Sequence, residues 1–169
     1  MTAADPVARF IDAAKEMDSA DRYEVAPAAV LPFADQSFDL AVAYNMLMDV
    51  EDMPAAVKEI RRVLKPSGTL IVSIVHPFAD RGHFAGPEPD APYLVPGSYF
   101  GRERFEGVEE KNGLSMHFAG WSQPLEAYVA ALTEAGFAVT RLKEPTPEAP
   151  SRWCRIPLFL WLKARPFPA

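Results

Sequence analysis

The sequence is short of cysteine, of positive charge and, in its first part, of glycine. Its one cysteine, Cys154, excludes an internal disulfide and favours a reducing, cytoplasmic location. Lys and Arg total 17 against 23 Asp and Glu, for a net charge of −6, so the cationic surface that duplex nucleic acid requires is missing. The run Ile156–Leu162, broken by Pro157, is too short to span a bilayer. These shortages argue against nucleic-acid and membrane partners.

The composition is that of one folded domain. The chain has 169 residues, 49% apolar and 24% charged, which excludes wholesale disorder and fibrous repeats. We therefore expect a single domain over residues 1–169. Proline is abundant, at 17 residues, and its clustering after residue 76 predicts long, stiffened loops there.

The hydrophobic pattern predicts alternating helices and strands. Apolar residues at helical spacing predict helices over 6–17, 53–64 and 124–135, and short apolar runs predict strands over 22–26, 38–44, 69–75, 137–142 and 156–164. The strands 38–44 and 69–75 flank a helix, so we expect parallel neighbours in a sheet covered on both faces, with 38–44 buried. No helix separates the last two strands, which should therefore pair antiparallel.

Residues 76–120 differ from the rest and are predicted to form an insertion within the domain. They are rich in proline, glycine and aromatic residues, with weaker strands over 98–105 and 114–119 joined through Lys111, Asn112 and Gly113. The Asn-Gly pair is a strong hairpin signal. We interpret this segment as a lid or substrate contact. Its aromatic side chains form either a wall over the substrate or the core of the insertion itself: Tyr93, Tyr99, Phe100 and Trp121.

Residues 31–77 resemble the middle of the class I S-adenosylmethionine-dependent methyltransferases, particularly their type 11 small-molecule group. The resemblance is carried by three motifs in order: LPF followed by SFDLAV, the turn VEDM, and the join RRVLKPSGTLIVS. It implies an α/β, Rossmann-like, mostly parallel sheet with one antiparallel strand. It also implies an enzyme that binds S-adenosylmethionine across the carboxyl ends of the strands and transfers a methyl group to a small molecule.

The resemblance also implies a set of residues that contact the cofactor. Asp5 matches an acid that accepts hydrogen bonds from the ribose hydroxyls, although a helix N-cap explains it equally well. Pro27 replaces the acid that receives the adenine amino group, which leaves the backbone N–H of Ala28 to face the adenine ring. Tyr44 and Asn45 match positions that line the methionine part.

Histidines and carboxylates supply the other candidates for chemistry. His76 directly follows the strand 69–75, where it is either a general base on the acceptor side or a loop histidine bonded to backbone. His83 and His117 are read as structural, and their spacing predicts no metal site. Asp49, Glu51 and Asp52 resemble paired carboxylates, but because they precede Pro54 they are interpreted as charges near a helix N-terminus.

The sequence departs from the family at its beginning. The family holds the cofactor's amino-acid end with a glycine-rich turn after its first strand, whereas the first glycine here is Gly68. Residues 1–4 predict only a stub of the second strand, so the first two strands are expected to be missing and the sheet incomplete. Three explanations stay open: a true start upstream, a sheet completed by another chain, for which a homodimer is one form, or a remnant that no longer binds cofactor. The alternative function is thus a non-catalytic interaction protein.

Overall fold

The structure is a computed structural model that describes residues 1–111, 114–148 and 150–167. The strands are β1 (Thr2–Asp5), β2 (Arg22–Val25), β3 (Phe38–Tyr44), β4 (Leu64–Val75), β5 (His83–Phe84), β6 (Tyr93–Leu94), β7 (Glu103–Lys111), β8 (Leu114–Ser122), β9 (Phe137–Lys143) and β10 (Phe159–Pro166). The helices are α1 (Ala8–Glu16), α2 (Met53–Val63), α3 (Pro77–Asp80) and α4 (Leu125–Glu134), with a 3₁₀ turn at Arg152–Cys154. None of the helices within these ranges is long and apolar enough to cross a membrane.

The main sheet has four strands in the order β3-β4-β10-β9. β3 and β4 are parallel neighbours, and β10 runs antiparallel to both β4 and β9. The sheet is therefore mostly parallel with one antiparallel strand, as predicted. The predicted antiparallel pairing of the last two strands is also confirmed.

The helix between β3 and β4 begins where the sequence predicts. Pro54 occupies its first turn, and the Asp52 carboxylate accepts a hydrogen bond of 2.9 Å from the Ala55 N–H, so Asp52 caps the helix. The strand after the helix is predicted over 69–75, but β4 begins directly at Leu64. The residues between Leu64 and Thr69 instead form an irregularity in the register with β3.

One face of the main sheet carries the core. Alternate residues of β4 and β10 are fully buried under apolar side chains of α2 and α4. The expectation that 38–44 is a buried strand in a sheet covered on both faces is wrong for the described residues. Val42 and Tyr44 are 60% and 71% exposed, because no element of the described chain packs on their face of the sheet.

A second, two-stranded parallel sheet pairs β1 with β2. The second of the two strands expected to be missing is therefore present, as four residues. The loop that leads from this sheet to β3 is held by α2, where Glu59 accepts a 2.8 Å bond from the Leu31 N–H and the Arg62 guanidinium donates to the carbonyls of Leu31 and Phe33. These bonds give the LPF motif its physical role, since they fix the loop between the two sheets.

Residues 76–124 form α3, the short pair β5 and β6, and the longer antiparallel hairpin β7 and β8. The hairpin was predicted, but β7 begins at Glu103 rather than at residue 98, because Gly101 turns the chain with a φ of +87°. The predicted Asn-Gly turn at 112 and 113 lies outside the described residues.

Candidate active site

The loops that follow β3 and β4 meet at one edge of the main sheet, because the two strands are parallel neighbours. Asn45, the first residue after β3, has a φ of +46°, a left-handed conformation that asparagine tolerates better than most residues. Its N–H donates to the carbonyl of Ser73 over 2.7 Å, and its Oδ1 accepts from the Ser73 hydroxyl over 3.0 Å. Asn45 therefore makes a fixed turn out of β3.

The other predicted cofactor residues lie at the carboxyl ends of three strands. Asp5 ends β1, and its carboxylate accepts a 2.7 Å bond from the Val7 N–H just before α1. The interpretation of Asp5 as a helix N-cap is wrong, because Val7 is the N-cap of α1 and no side chain caps this helix. Ala28 lies in the turn after the neighbouring β2, while Tyr44 ends β3 with an exposed ring. The Asp5 carboxylate is a hydrogen-bond acceptor and the Ala28 N–H is a donor, which suits the ribose hydroxyls and the adenine ring of S-adenosylmethionine. The described chain supplies no glycine-rich turn for the cofactor's amino-acid end, so the placement of Tyr44 and Asn45 along the methionine part stays a prediction.

His76 is buried and caps the short helix α3. Its Nδ1 accepts a 3.1 Å hydrogen bond from the Phe78 N–H, and its Nε2 lies 3.1 Å from Oε1 of Glu144. Because Nδ1 accepts, the ring proton belongs on Nε2, which donates to Glu144. A role as general base stays a prediction, and it requires Nδ1 to leave the Phe78 N–H first, because Nδ1 carries the lone pair of the ring.

Two carboxyl groups at this edge carry perturbed pKa values. Burial raises the pKa of Asp49, which lies in the loop after β3, and the charge of Asp80 raises it further. Burial also raises the pKa of Asp80 at the end of α3, although the Ser122 hydroxyl and the Arg81 charge partly offset that effect. Both carboxyl groups therefore favour the neutral form more than exposed aspartates do.

Buried polar side chains from β8 and α4 surround this pair. Burial raises the pKa of the Tyr128 phenol to about 12; a hydrogen bond with Gln123 lowers it, and the charges of Asp80 and Asp49 raise it. The sequence did not predict a site role for Tyr128, because an aromatic residue on the inner face of a helix is usually part of the hydrophobic core. Asp80 could have been noticed from its position just after a predicted strand, whereas Asp49 was noticed and interpreted as a helix-terminal charge.

Hairpin β7–β8 docks onto the loop after β3. The Trp121 N–H donates to the Met48 carbonyl over 2.7 Å, and the indole Nε1–H donates to Oε2 of Glu51 over 3.1 Å. The Arg102 guanidinium lies 3.6 Å from the centre of the indole ring. Gly120 permits this approach, since a Cβ there would lie 2.8 Å from the Met48 carbonyl oxygen.

Arg81 fastens the other side of the hairpin. Its side chain is only 4% exposed, and its terminal nitrogens donate to the Glu103 carboxylate over 2.7 Å, to the Ser122 carbonyl over 3.0 Å and to the Gly101 carbonyl. A buried guanidinium that donates to three acceptors on or next to the hairpin holds β7 and β8 against the end of α3. Sequence reasoning did not identify this residue.

The described residues contain no group of three or more His, Cys, Asp or Glu side chains that could hold a metal ion. An open cavity of about 420 Å³ lies instead on the uncovered face of the sheet. Its floor includes the apolar residues Val42 and Trp161, and its rim carries the cations Arg141, Lys143 and Lys163.

Comparison with known proteins shows which family this chain is similar to. Residues 1–72 match the family model described as a methyltransferase domain. A malonyl-[acyl-carrier protein] O-methyltransferase of Erwinia pyrifoliae is 36% identical over 73 residues, which are 43% of this chain and 28% of that protein. The match thus spans about a quarter of the length of that curated relative.

Solved structures extend the likeness over the whole chain. An S-adenosylmethionine-dependent methyltransferase from Mesorhizobium loti has a TM-score of 0.75 at 22% identity and covers 97% of this chain and 79% of its own. The Burkholderia thailandensis 1,6-didemethyltoxoflavin-N1-methyltransferase, solved with its substrate and S-adenosylhomocysteine, has a TM-score of 0.57 at 16% identity, with coverages of 99% and 61%. Residues 1–72 therefore resemble the methyltransferase domain family, and the chain as a whole has the fold of the S-adenosylmethionine-dependent methyltransferases.

Proposed function

We propose that this protein transfers a methyl group from S-adenosylmethionine to a small-molecule acceptor. The observation that carries the proposal is the family match over residues 1–72, on a chain whose parallel strands β3 and β4 bring polar loops to one edge. When bound, the cofactor supplies an electrophilic methyl group on a sulfonium. The chain's own contribution is to orient both partners and to shield the reacting groups from water.

The cofactor side is assigned to four residues. The Asp5 carboxylate has a second oxygen beside the one bonded to Val7, and it accepts from the ribose hydroxyls. The Ala28 N–H faces the adenine ring. Tyr44 and Asn45 line the methionine part, with Asn45 held in place by Ser73.

The acceptor side is assigned to His76 and to the insertion 76–120, which acts as a lid. Support for the lid comes from its attachment, since Trp121 and Arg81 bind it to the loops after β3 and β4. His76 acts as a base only in a state in which its Nδ1 has left the Phe78 N–H.

We further infer a cytoplasmic protein without nucleic-acid partners that associates as a homodimer. The net charge of −6 disfavours binding to phosphate backbones. The exposed apolar residues of β3 favour association, because strand edges of this kind pair readily with other chains.

Calorimetric titration of the full chain with S-adenosylmethionine and S-adenosylhomocysteine tests the function. We expect saturable binding of both, followed by transfer of a labelled methyl group when acceptors of several classes are offered. A folded, monodisperse sample that binds neither would contradict the enzyme and favour the alternative, a non-catalytic interaction protein.

A further inference from the structure

We propose that Asp49 and Asp80 bind the protonated amine of the acceptor, an inference that rests on the methyltransferase function proposed above. Asp49 follows β3, and Asp80 ends the helix that follows β4. Both carboxylates therefore lie at the edge of the sheet where the parallel strands end. Tyr128 and Ser122 close the cluster from α4 and β8.

The negative charge of this pair is balanced only in part, by the nearby charge of Arg81. No ion pair to either carboxylate is formed within the residues that the structure describes. Arg81 is adjacent to Asp80, but its terminal nitrogens are committed to Glu103 and to two carbonyls. Like charges in a partly buried site need an added cation or a proton to be stable.

A buried hydroxyl gives an independent sign of a ligand. Ser122 is 5% exposed, and its Oγ has no hydrogen-bond partner within the described chain. It lies close enough to Asp80 to lower the pKa of that carboxyl group, but without the alignment of a hydrogen bond. A buried hydroxyl of this kind normally meets a partner, and a ligand N–H beside Asp80 would supply one.

An ammonium group of the ligand suits this site better than a carboxylate or an alcohol does. Ionised carboxylates only accept hydrogen bonds, and an ammonium offers up to three N–H donors together with the missing charge. A carboxylate ligand would be repelled by the pair, and an alcohol offers a single donor and no charge.

Binding of an amine must depend on pH. The raised pKa values mean that Asp49 and Asp80 hold protons at higher pH than exposed aspartates, and these protons compete with the amine. Affinity should therefore rise as pH increases through the titration of the pair. The guanidinium of Arg81 also faces Asp80. Burial raises the pKa of the facing phenols, Tyr93 and Tyr128, so these groups stay neutral across that range.

Three probes of one shape test the inference on the full chain: benzylamine, benzyl alcohol and benzoate. Binding is followed by calorimetry and by carboxyl ¹³C NMR between pH 4 and pH 8. We expect benzylamine to bind at least tenfold more tightly than the alcohol or benzoate, to shift the Asp49 and Asp80 signals, and to bind more tightly as pH rises. D49N and D80N should each weaken benzylamine binding at least tenfold, whereas the exposed control D90N should not.

The outcomes separate this inference from the proposed function. Equal binding of benzylamine and benzyl alcohol, or an equal loss in D90N, overturns the amine site. Saturable binding of S-adenosylhomocysteine in the same sample then leaves the methyltransferase function standing. Benzylamine binding at the pair without binding of either cofactor form supports the cation site and overturns the function. Circular dichroism on each variant excludes unfolding as the cause of a loss.

Discussion

At the scale of single residues, the unusual feature is the pair of partly buried carboxyl groups, Asp49 and Asp80. A carboxyl group whose pKa is raised on folding reduces stability at neutral pH, since the folded protein binds the proton more tightly than the unfolded chain does. Asp80 is the more enclosed of the two, and burial is the main cause of its shift. Such destabilised groups are typical of sites that bind or react.

Replacement of Asp80 tests this electrostatic cost. D80N removes the charge and keeps the shape, so we expect a melting temperature about 2–4 °C above that of the parent at pH 7.5, as for a gain of about 1 kcal/mol. The gain should shrink toward pH 4, where the folded parent is protonated and no longer carries the charge. Thermal unfolding followed by circular dichroism at both pH values measures it. A D80N melting temperature below that of the parent at pH 7.5 would contradict the assignment.

Asp5 has two roles that one substitution separates. Its bond to the Val7 N–H shapes the turn before α1, and Asn makes such turns about as well as Asp, so D5N should keep the melting temperature of the parent. It removes the carboxylate proposed to accept from both ribose hydroxyls, so we expect roughly tenfold weaker binding of S-adenosylhomocysteine in calorimetry. The matched control is D12N on the exposed face of α1, where Asp12 pairs with Lys15. Unchanged affinity in D5N would leave Asp5 with the turn alone.

At the scale of elements, α2 does more than cover the sheet. Glu59 accepts from the Leu31 N–H and from the Arg62 guanidinium, and Arg62 in turn donates to two carbonyls of the loop after β2. The hydrogen bond with Arg62 holds the pKa of Glu59 below its ordinary value. One helix thus fixes the position of the small sheet's exit loop relative to β3.

E59Q should destabilise the protein by about 1–2 kcal/mol at pH 7, since it replaces charge-assisted hydrogen bonds with neutral ones. A group with a lowered folded pKa contributes stability above its unfolded value near 4.5, and this contribution is lost as pH falls further. The difference between the parent and E59Q should therefore shrink below pH 4.5. Urea unfolding at pH 7 and pH 3.5 measures it, with E16Q on the exposed face of α1 as control. Equal losses at both pH values would contradict the ionic role.

The local sequence pattern predicted the bounds of a strand well where apolar residues form an uninterrupted run. The bounds of β3 agree with the prediction to the residue, because an apolar run is limited by turn residues on both sides. The start of β4 at Leu64 was missed, because a Lys-Pro-Ser-Gly sequence normally ends in a turn, whereas here strand pairing with Phe38 resumes immediately. The core role of Tyr128 was visible, but its contact with two carboxylates depends on elements far away in sequence.

At the scale of the whole molecule, the sheet has one covered face and one open face. Apolar residues of β3 point to the open face and lie next to the cavity floor formed with Trp161. The apolar runs correctly predicted that these segments are strands. Burial of a strand also requires a layer of other elements on its face, and a local sequence pattern does not show whether the described chain provides that layer.

The open face of the sheet predicts that two copies of the chain associate, and a single added charge on β3 should weaken this association. V42K adds a cation to the exposed edge strand, so we expect the proposed homodimer to dissociate at concentrations where the parent stays associated. Sedimentation velocity across a hundredfold range of concentration measures the shift. V30K, which charges an exposed loop residue elsewhere, should leave the association unchanged. A parent that is monomeric across the whole range would contradict the homodimer.

The main-chain bond from Trp121 to Met48 joins the hairpin β7–β8 to the loop that carries Asp49. Met48 directly precedes Asp49, so β8 cannot swing outward without breaking this bond or pulling the carboxylate along with it. Opening of the hairpin would then also change the spacing between the two acidic groups. Binding and release of a charged ligand would therefore be coupled to a single movement of the hairpin.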